Sequence, residues 1–322
     1  MKNILITSAG KRVVLVQIFQ RTIQQLDLSV KVYTTDMRPE MAPAGIVSDE
    51  CISVPRCTAD NYIDTLLDIC RDKNIGVIIP TIDTELLVLA KARERFAEQG
   101  VKLAVSDWAF IQVCRDKRLT AAYFRKLGIS VPEPIDKLHP VFPMFAKPYD
   151  GSLSTNIHII HSPEEMTKEI LEDPKLLFFE YINPKEYKEY TVDMYYGLDG
   201  HVKGIVPRER IAIRAGEINK GITRKNMLVS YLRQKMEYLE GVRGCLCLQL
   251  FFREKDGTVK GIEINPRFGG GFPLSYYAKA NFAEYLIREY LLGETIDYSD
   301  AWLDRTLMLR YDNDIIVYDS NE

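Results

Sequence analysis

The sequence predicts an α/β leading domain with a parallel, doubly wound sheet, followed by a longer α+β region. Strands and helices alternate over residues 1–106, whereas strands lengthen and cluster from residue 143 onward. Between the two parts, Pro132 and Pro134 end regular structure. Alternation is typical of a parallel sheet, and clustered strands favour antiparallel hairpins. A chain of 322 residues is long enough for two or three domains.

In the leading part, short apolar runs predict strands, and apolar residues recurring three or four apart predict helices. Sheets of this kind bind ligands at the carboxyl ends of their strands, here residues 7–12, 35–37 and 80–85. The predicted strands are 4–7, 30–34, 51–54, 77–79 and 101–105, and the predicted helices are 12–26, 61–71 and 85–98.

The later part is predicted to begin near residue 107, so we place the domain boundary at residue 106. An amphipathic helix is expected at 116–127, where Gly128 ends it. The remaining predicted strands are 143–147, 157–160, 176–181, 190–196, 202–207, 244–253 and 258–265, and the remaining predicted helices are 224–239 and 278–292.

Composition excludes several classes of protein. The net charge of −3 and the isoelectric point near 6.0 argue against a general nucleic-acid binder. No apolar run approaches the roughly 20 residues of a membrane-spanning helix, and the N-terminus resembles a strand more than a signal peptide. The six cysteines show no Cys-x-x-Cys pair and the four histidines show no zinc spacing. We therefore expect reduced thiols and a cytoplasmic protein that binds neither membranes nor nucleic acid.

The most informative stretch is the predicted hairpin of residues 244–265. If residues whose numbers sum to 512 are paired, Gln249 lies opposite Glu263, and Asn265 lies one step along the same face. On this alternation Val259 and Gly261 share that face as well. Oxygen ligands without His or Cys suit Mg²⁺. The alternative is the polar face of an exposed hairpin.

The hairpin is followed by Arg267 and by three consecutive glycines, residues 269–271. Flexible backbone N–H groups beside a guanidinium suit an oxyanion or a phosphate. This neighbour makes the exposed-hairpin alternative weaker.

Two further segments are candidates for nucleotide binding. Lys147 ends a strand and precedes a loop of small and hydroxyl residues, Asp150–Asn156, which does not match a P-loop. The segment 178–193 can offer backbone groups to an adenine, and Glu189 can accept hydrogen bonds from ribose hydroxyls. The alternatives are a charged residue that ends an edge strand and a charged crossover between two strands.

In this order, the pieces resemble the ATP-grasp superfamily, and most closely one synthetase unit of the carbamoyl phosphate synthetase large subunit. The resemblance covers essentially the whole chain. It implies a Rossmann-like leading domain (1–106) and an ATP-grasp domain (107–322), whose first lobe (107–177) carries a phosphate flap and whose second lobe (178–322) carries the metal hairpin.

The resemblance also implies roles for individual residues. Glu263 is implied to bridge two Mg²⁺ (or Mn²⁺) ions, with Gln249 and Asn265 binding one each. Arg267 is implied to contact the γ-phosphate and an acyl-phosphate intermediate, and Lys147 the α- and β-phosphates. The other implied ATP-binding residues are Lys117, Ser152, Ser154, Glu180, Tyr181, Ile182, Glu189 and Lys220.

The activity that the resemblance implies is ADP-forming ligation of a carboxylate to an amine or similar nucleophile through an acyl phosphate. Gln249 replaces the acidic ligand of many members. The presence of one ATP-grasp unit argues against a complete carbamoyl phosphate synthetase. A reaction that stops at the acyl phosphate, an inactive nucleotide-binding protein and an NAD(P)-dependent oxidoreductase are the alternatives. The dinucleotide fingerprint is poor, since only Gly10 matches it.

The small-molecule carboxylate and nucleophile are expected between the leading domain and the hairpin, in a monomer or homodimer. The candidate substrate residues are Ser8–Arg12, Asp83, Glu85, Arg208, Arg210 and Arg214. For Asp83 or Thr84 the alternative is a helix cap, and for the three arginines it is a solvated strand face.

Overall fold

The computed structural model describes residues 1–150, 156–214 and 216–318. Ser152 and Ser154, with the rest of the candidate phosphate flap at 151–155, lie outside the described residues. None of the helices in the described ranges combines the length and apolar character that a bilayer crossing requires.

The leading part is a five-stranded parallel sheet, as predicted, with strand order β3-β2-β1-β4-β5. The order reverses between β1 and β4, which places the loops after these two strands at the switch point where such sheets bind ligands. The elements are β1 (Asn3–Thr7), α1 (Val13–Gln25), β2 (Val32–Asp36), α2 (Pro43–Val47), β3 (Glu50–Ser53), α3 (Tyr62–Asp72), β4 (Ile75–Pro80), α4 (Asp83–Lys91), α5 (Arg93–Glu98) and β5 (Lys102–Leu103), with a 3₁₀ turn at Pro39–Met41.

Two further units follow. Helices α6 (Trp108–Arg115) and α7 (Lys117–Lys126) precede a three-stranded antiparallel sheet of order β7-β6-β8. Its elements are β6 (Met144–Pro148), β7 (His158–Ile160), α8 (Lys168–Glu172) and β8 (Leu176–Glu180), with a 3₁₀ turn at Pro163–Glu165.

The last unit is a six-stranded antiparallel sheet of order β13-β12-β9-β10-β11-β14. The sequence patterns missed β11, β14 and α10, and β10 runs seven residues beyond its predicted end at residue 207. The elements are β9 (Lys188–Tyr196), β10 (Val202–Arg214), β11 (Glu217–Thr223), α9 (Met227–Met236), β12 (Gly244–Arg253), β13 (Thr258–Asn265), α10 (Phe272–Tyr277), α11 (Phe282–Ile287), a π-helical turn (Arg288–Leu292) and β14 (Leu307–Leu309).

The leading sheet and the six-stranded sheet share one apolar core. Phe19, on the buried face of α1, meets Phe268 edge-on with ring centroids 5.8 Å apart, and Phe268 in turn packs on Phe272 of α10. Burying large aromatic rings between two sheets fixes their relative position. The loop that connects β1 to α1 therefore lies beside the loop that connects β13 to α10.

Candidate active site

The predicted pairing of Gln249 with Glu263 is present, and Cys247 pairs with Asn265 in the same register. Nearer the turn, however, Arg253 pairs with Thr258 and Leu250 with Gly261, so the pair numbers sum to 511. A bulge at Ile262 adds the residue that restores the sum of 512.

The bulge also changes which residues share a face. Val259 and Gly261 are buried in the core, whereas Glu263 and Asn265 are half-buried on the opposite side. The prediction that all four share one face is therefore wrong. Lys260, rather than Val259 or Gly261, lies on the side of Glu263.

The two amides among the three candidate ligands of the hairpin direct their nitrogen atoms toward carboxylates. Gln249 Nε2 donates to Glu189 Oε1, and Asn265 Nδ2 donates to Glu263 Oε1 at 3.0 Å. This arrangement leaves both amide oxygens and the second oxygen of Glu263 as acceptors. The donor set fits a hard cation such as Mg²⁺. Among the described residues, no three His, Cys, Asp or Glu side chains form a metal cluster; the candidate set has one carboxylate and two amides.

Two lysines from the preceding lobe face Glu263. Burial lowers the pKa of Lys147 to about 8, and the attraction of Glu263 offsets only part of that effect. Burial likewise lowers the pKa of Lys117, the first residue of α7, and Glu263 again acts in the opposite direction. Both ammonium groups are thus within electrostatic range of the hairpin carboxylate.

Arg267 is held by the leading domain. Its Nη2 donates to Asp83 Oδ2 at 2.7 Å, and both side chains are largely buried. Asp83 is the first residue of α4 and makes no capping hydrogen bond, so the capping alternative is wrong. The buried Nε of Arg267 and Oδ1 of Asp83 have no hydrogen-bond partner among the described residues. Both atoms are therefore available for a ligand or a bound water.

The predicted adenine segment ends β8. Glu180 accepts hydrogen bonds from Lys260 Nζ and, at 2.8 Å, from the backbone N–H of Glu133. Tyr181 lies near His161, with ring centroids 6.3 Å apart, and Ile182 follows it half-buried. Lys260 was not predicted, because its orientation depends on the bulge.

Glu189 contacts side chains of both neighbouring strands, β12 and β10. Besides the bond from Gln249, it forms an ion pair of 3.3 Å with Arg210. Arg210 is itself buried and donates to the Gly216 carbonyl at 2.9 Å. Arg210 therefore holds Glu189 in place from β10. Its position favours this supporting role over the predicted contact with substrate.

Three other predicted site residues lie elsewhere. Glu85 is fully buried and accepts a hydrogen bond from Tyr62, and burial raises its pKa, so it does not face a substrate. Arg214 is exposed and paired with Asp312. Lys220 is exposed on β11, where it pairs with Ala212 of β10 and Leu309 of β14.

Arg208 lies in the core, where its buried Nε and Nη1 have no hydrogen-bond partner among the described residues. It is fully buried and donates to Asp193 at 2.8 Å, and Asp193 also accepts from Ser275 at 2.6 Å. The glycines above it serve close packing: a Cβ on Gly269 would lie 2.7 Å from Cys247 Sγ, and one on Gly271 would overlap the Arg208 guanidinium. The three glycines thus allow neighbouring side chains to pack closely against the backbone. The sequence analysis predicted a phosphate-binding nest here and did not predict this packing role.

Family models match both parts of the chain. The model described as the PylC-like N-terminal domain matches residues 4–104. The model described as ATP-grasp in the biosynthetic pathway with Ter operon matches residues 172–308. No curated protein sequence matches the chain.

Solved ATP-grasp structures share the fold. The biotin carboxylase domain dimer of 2-oxoglutarate carboxylase from Hydrogenobacter thermophilus, solved with ADP, magnesium and bicarbonate, is 16% identical with a TM-score of 0.70, and the match covers 94% of this chain and 72% of that one. N5-carboxyaminoimidazole synthetase from Staphylococcus aureus, complexed with ADP, is 16% identical with a TM-score of 0.69, covering 96% and 80%. L-amino acid ligase from Bacillus licheniformis is 18% identical with a TM-score of 0.66, covering 90% and 74%.

The fold is that of ATP-grasp enzymes: a leading parallel sheet followed by two α+β lobes. The chain belongs to the ATP-grasp superfamily, with a PylC-like leading domain and an ATP-grasp part like that of the Ter-operon family. The closer resemblance to a carbamoyl phosphate synthetase unit stays a prediction.

Proposed function

We propose that the protein is an ADP-forming ligase that activates a carboxylate with ATP and Mg²⁺ and transfers the acyl group to an amine or similar nucleophile. The observation that carries this proposal is the convergence of Lys147, from β6, with Glu263, from β13, and Arg267, just after it, since Glu263 acts electrostatically on both cations. Superfamily membership supports the same reaction.

In the proposed reaction, a carboxylate oxygen attacks the γ-phosphorus of ATP, and ADP leaves. The nucleophile then attacks the acyl carbon, and phosphate leaves. Lys147 and Lys117 bind the phosphates, and Arg267, oriented by Asp83, stabilises the charge on the transferred group. Magnesium bound by Gln249, Glu263 and Asn265 supplies charge neutralisation at the phosphates.

The remaining assignments are also proposals. Glu180, Tyr181 and Ile182 bind adenine and Glu189 binds ribose, while the flap with Ser152 and Ser154 covers the phosphates. We also propose that the ATP-grasp domain begins after residue 106 and that each site binds two metal ions. The protein is further proposed to be a cytoplasmic homodimer.

The experiment is a screen of amino acids and simple carboxylates, paired with amines, for stimulated ADP release. Hydroxylamine is added to trap an acyl phosphate as the hydroxamate. We expect at least one pair to stimulate release in the wild type but not in Glu263→Gln. Formation of AMP and pyrophosphate, or equal ADP release by the variant, would overturn the proposal.

A further inference from the structure

A cluster of basic side chains surrounds Glu217, the first residue of β11. Arg310 Nη1 donates to Glu217 Oε2 at 2.8 Å, and Lys11 Nζ lies 3.5 Å from Oε1. Arg12 Nη1 lies 3.9 Å from the same oxygen. Lys11 and Arg12 belong to the loop after β1, and Arg310 follows β14, so three distant segments meet at one carboxylate.

This cluster adjoins the loop that carries Arg267. Arg310 also donates to the Gly270 carbonyl. A Cβ on Gly270 would lie 2.5 Å from Arg12 Nη1 and 2.9 Å from Glu217 Oε2, so both side-chain ends lie directly against this glycine. Burial and the nearby Arg267 both lower the pKa of Arg12. The cluster is therefore next to the arginine of the proposed phosphoryl transfer.

The cations of the cluster outnumber its carboxylates. Lys11, Arg12 and Arg310 share Glu217, and among the described residues none of the three forms an ion pair with any other carboxylate. Only 18% of the Arg12 side chain is exposed. Among the described residues, this side chain makes no hydrogen bond and only the 3.9 Å ion pair with Glu217. A half-satisfied guanidinium fork is suited to a bidentate carboxylate.

We propose that Arg12 and Arg310 bind a carboxylate of the substrate and that Glu217 holds this place until the substrate displaces it. The inference rests on the proposed function. A carboxylate paired with several cations is a poor nucleophile, because its lone pairs are engaged and its charge is neutralised. The bound carboxylate is therefore an anchor, distinct from the reacting group. The substrate class is accordingly an amino acid or a dicarboxylate, and not a simple monocarboxylate.

Calorimetric titration with Mg-ADP present tests the inference. The probes are oxalate, malonate, succinate, glutarate and the standard amino acids, with butyrate as the monocarboxylate. We expect the tightest two-group probe to bind Glu217→Gln about fivefold or more tighter than the wild type, because the internal competitor is gone. Arg12→Gln should weaken the same probe at least tenfold, and Arg12→Lys should lie between.

The matched control is Asp312→Asn. This variant breaks the exposed ion pair of Asp312 with Arg214, the last residue of β10. It should bind the probe like the wild type. Melting temperatures and Mg-ADP affinity, measured for each variant, separate a lost anchor from a lost fold or nucleotide site. Unchanged probe affinity in folded Glu217→Gln and Arg12→Gln, butyrate binding as tightly as the best probe, or no probe binding at all, would overturn the inference. ADP release that depends on Glu263 would survive that result, so the two proposals fail separately.

Discussion

Two neighbouring regions of the cleft carry opposite chemistry. The oxygen-rich region, Gln249, Glu263, Asn265 and Glu189, leaves acceptor atoms open because its amide nitrogens are already bonded to carboxylates. The arginine-rich region, Arg12, Arg267 and Arg310 with Asp83 and Glu217, leaves guanidinium donors open. A few residues of chain after β13 separate the two.

The difference indicates which kind of ligand each region can bind. Open acceptors favour cations, and open guanidinium donors favour anions. Each lysine of the phosphate site faces the oxygen-rich region, whereas the leading domain contributes only to the arginine-rich region. In the proposed function, the two ATP-grasp lobes build the nucleotide site, and the leading domain supplies part of the substrate site.

The largest effect is expected from Glu263→Gln, which removes the only carboxylate of the candidate metal set. ADP release should fall by about 1,000-fold while the fold is retained. Steady-state kinetics with varied Mg²⁺ and circular dichroism check this outcome. The control is Glu254→Gln, at the exposed turn of the same hairpin, which should keep wild-type rates.

Asp193→Asn tests where the arginine-rich region ends. It leaves the buried Arg208 charge without its partner, so the free energy of unfolding should fall by about 3–5 kcal/mol. Urea denaturation measures the change. A loss below about 1 kcal/mol would mean that Arg208 is not the core residue described above and belongs with the substrate-facing arginines.

Asp83→Asn should misorient Arg267 and lower kcat by about 10- to 100-fold, with little change in the KM for ATP. Asp107→Asn breaks another ion pair between distant segments, with Arg243 at 2.8 Å, away from the cleft. Its kinetics should be those of the wild type. Equal losses in both variants would show that any weakened contact of this kind suffices, and the special role of Asp83 would be wrong.

The smallest effect concerns pH. Because burial lowers the pKa of Lys147 to about 8, this lysine is charged below pH 8 and loses its proton above it. A bound triphosphate favours the charged form, so the affinity for ATP should fall above pH 8, by at most about tenfold per pH unit. Lys147→Arg stays charged and should remove this dependence. Titration of Mg-ATP between pH 7 and 9.5 decides the question.

Pattern reasoning succeeded where a feature depends on neighbours along the chain. The parallel leading sheet follows from alternating elements. Strand alternation predicts that Gln249 and Glu263 share a face, but their direct opposition depends on the bulge at Ile262, because the pairs nearer the turn sum to 511. Pattern reasoning failed at Ile262, because a bulge has no signature in the apolar pattern of that strand. Consequently the partnership of Lys260 with Glu180 was missed, and Val259 was placed on the wrong face.

The arginines show the limit most clearly. The sequence gives the same expectation for Arg208, Arg210 and Arg214. In the structure, Arg208 lies in the core, Arg210 supports Glu189 and Arg214 is exposed. No local pattern separates them, because the difference arises from which strand or loop packs over each.

The sequence by itself determined the class of fold, which follows from periodicity, and it singled out Gln249, Glu263 and Asn265 as candidate metal ligands from their residue types and strand alternation. Only the tertiary structure decided which charges meet: Asp83 with Arg267, and Glu217 with Arg12 and Arg310. These partners lie about 90 to 200 residues apart. The packing of Phe19 of α1 on Phe268 joins the leading domain to the loop after β13, whereas the pairing of β11 with β14 brings Arg310 to Glu217. Ion pairs depend on distances of a few ångströms, which strand and helix periods do not encode.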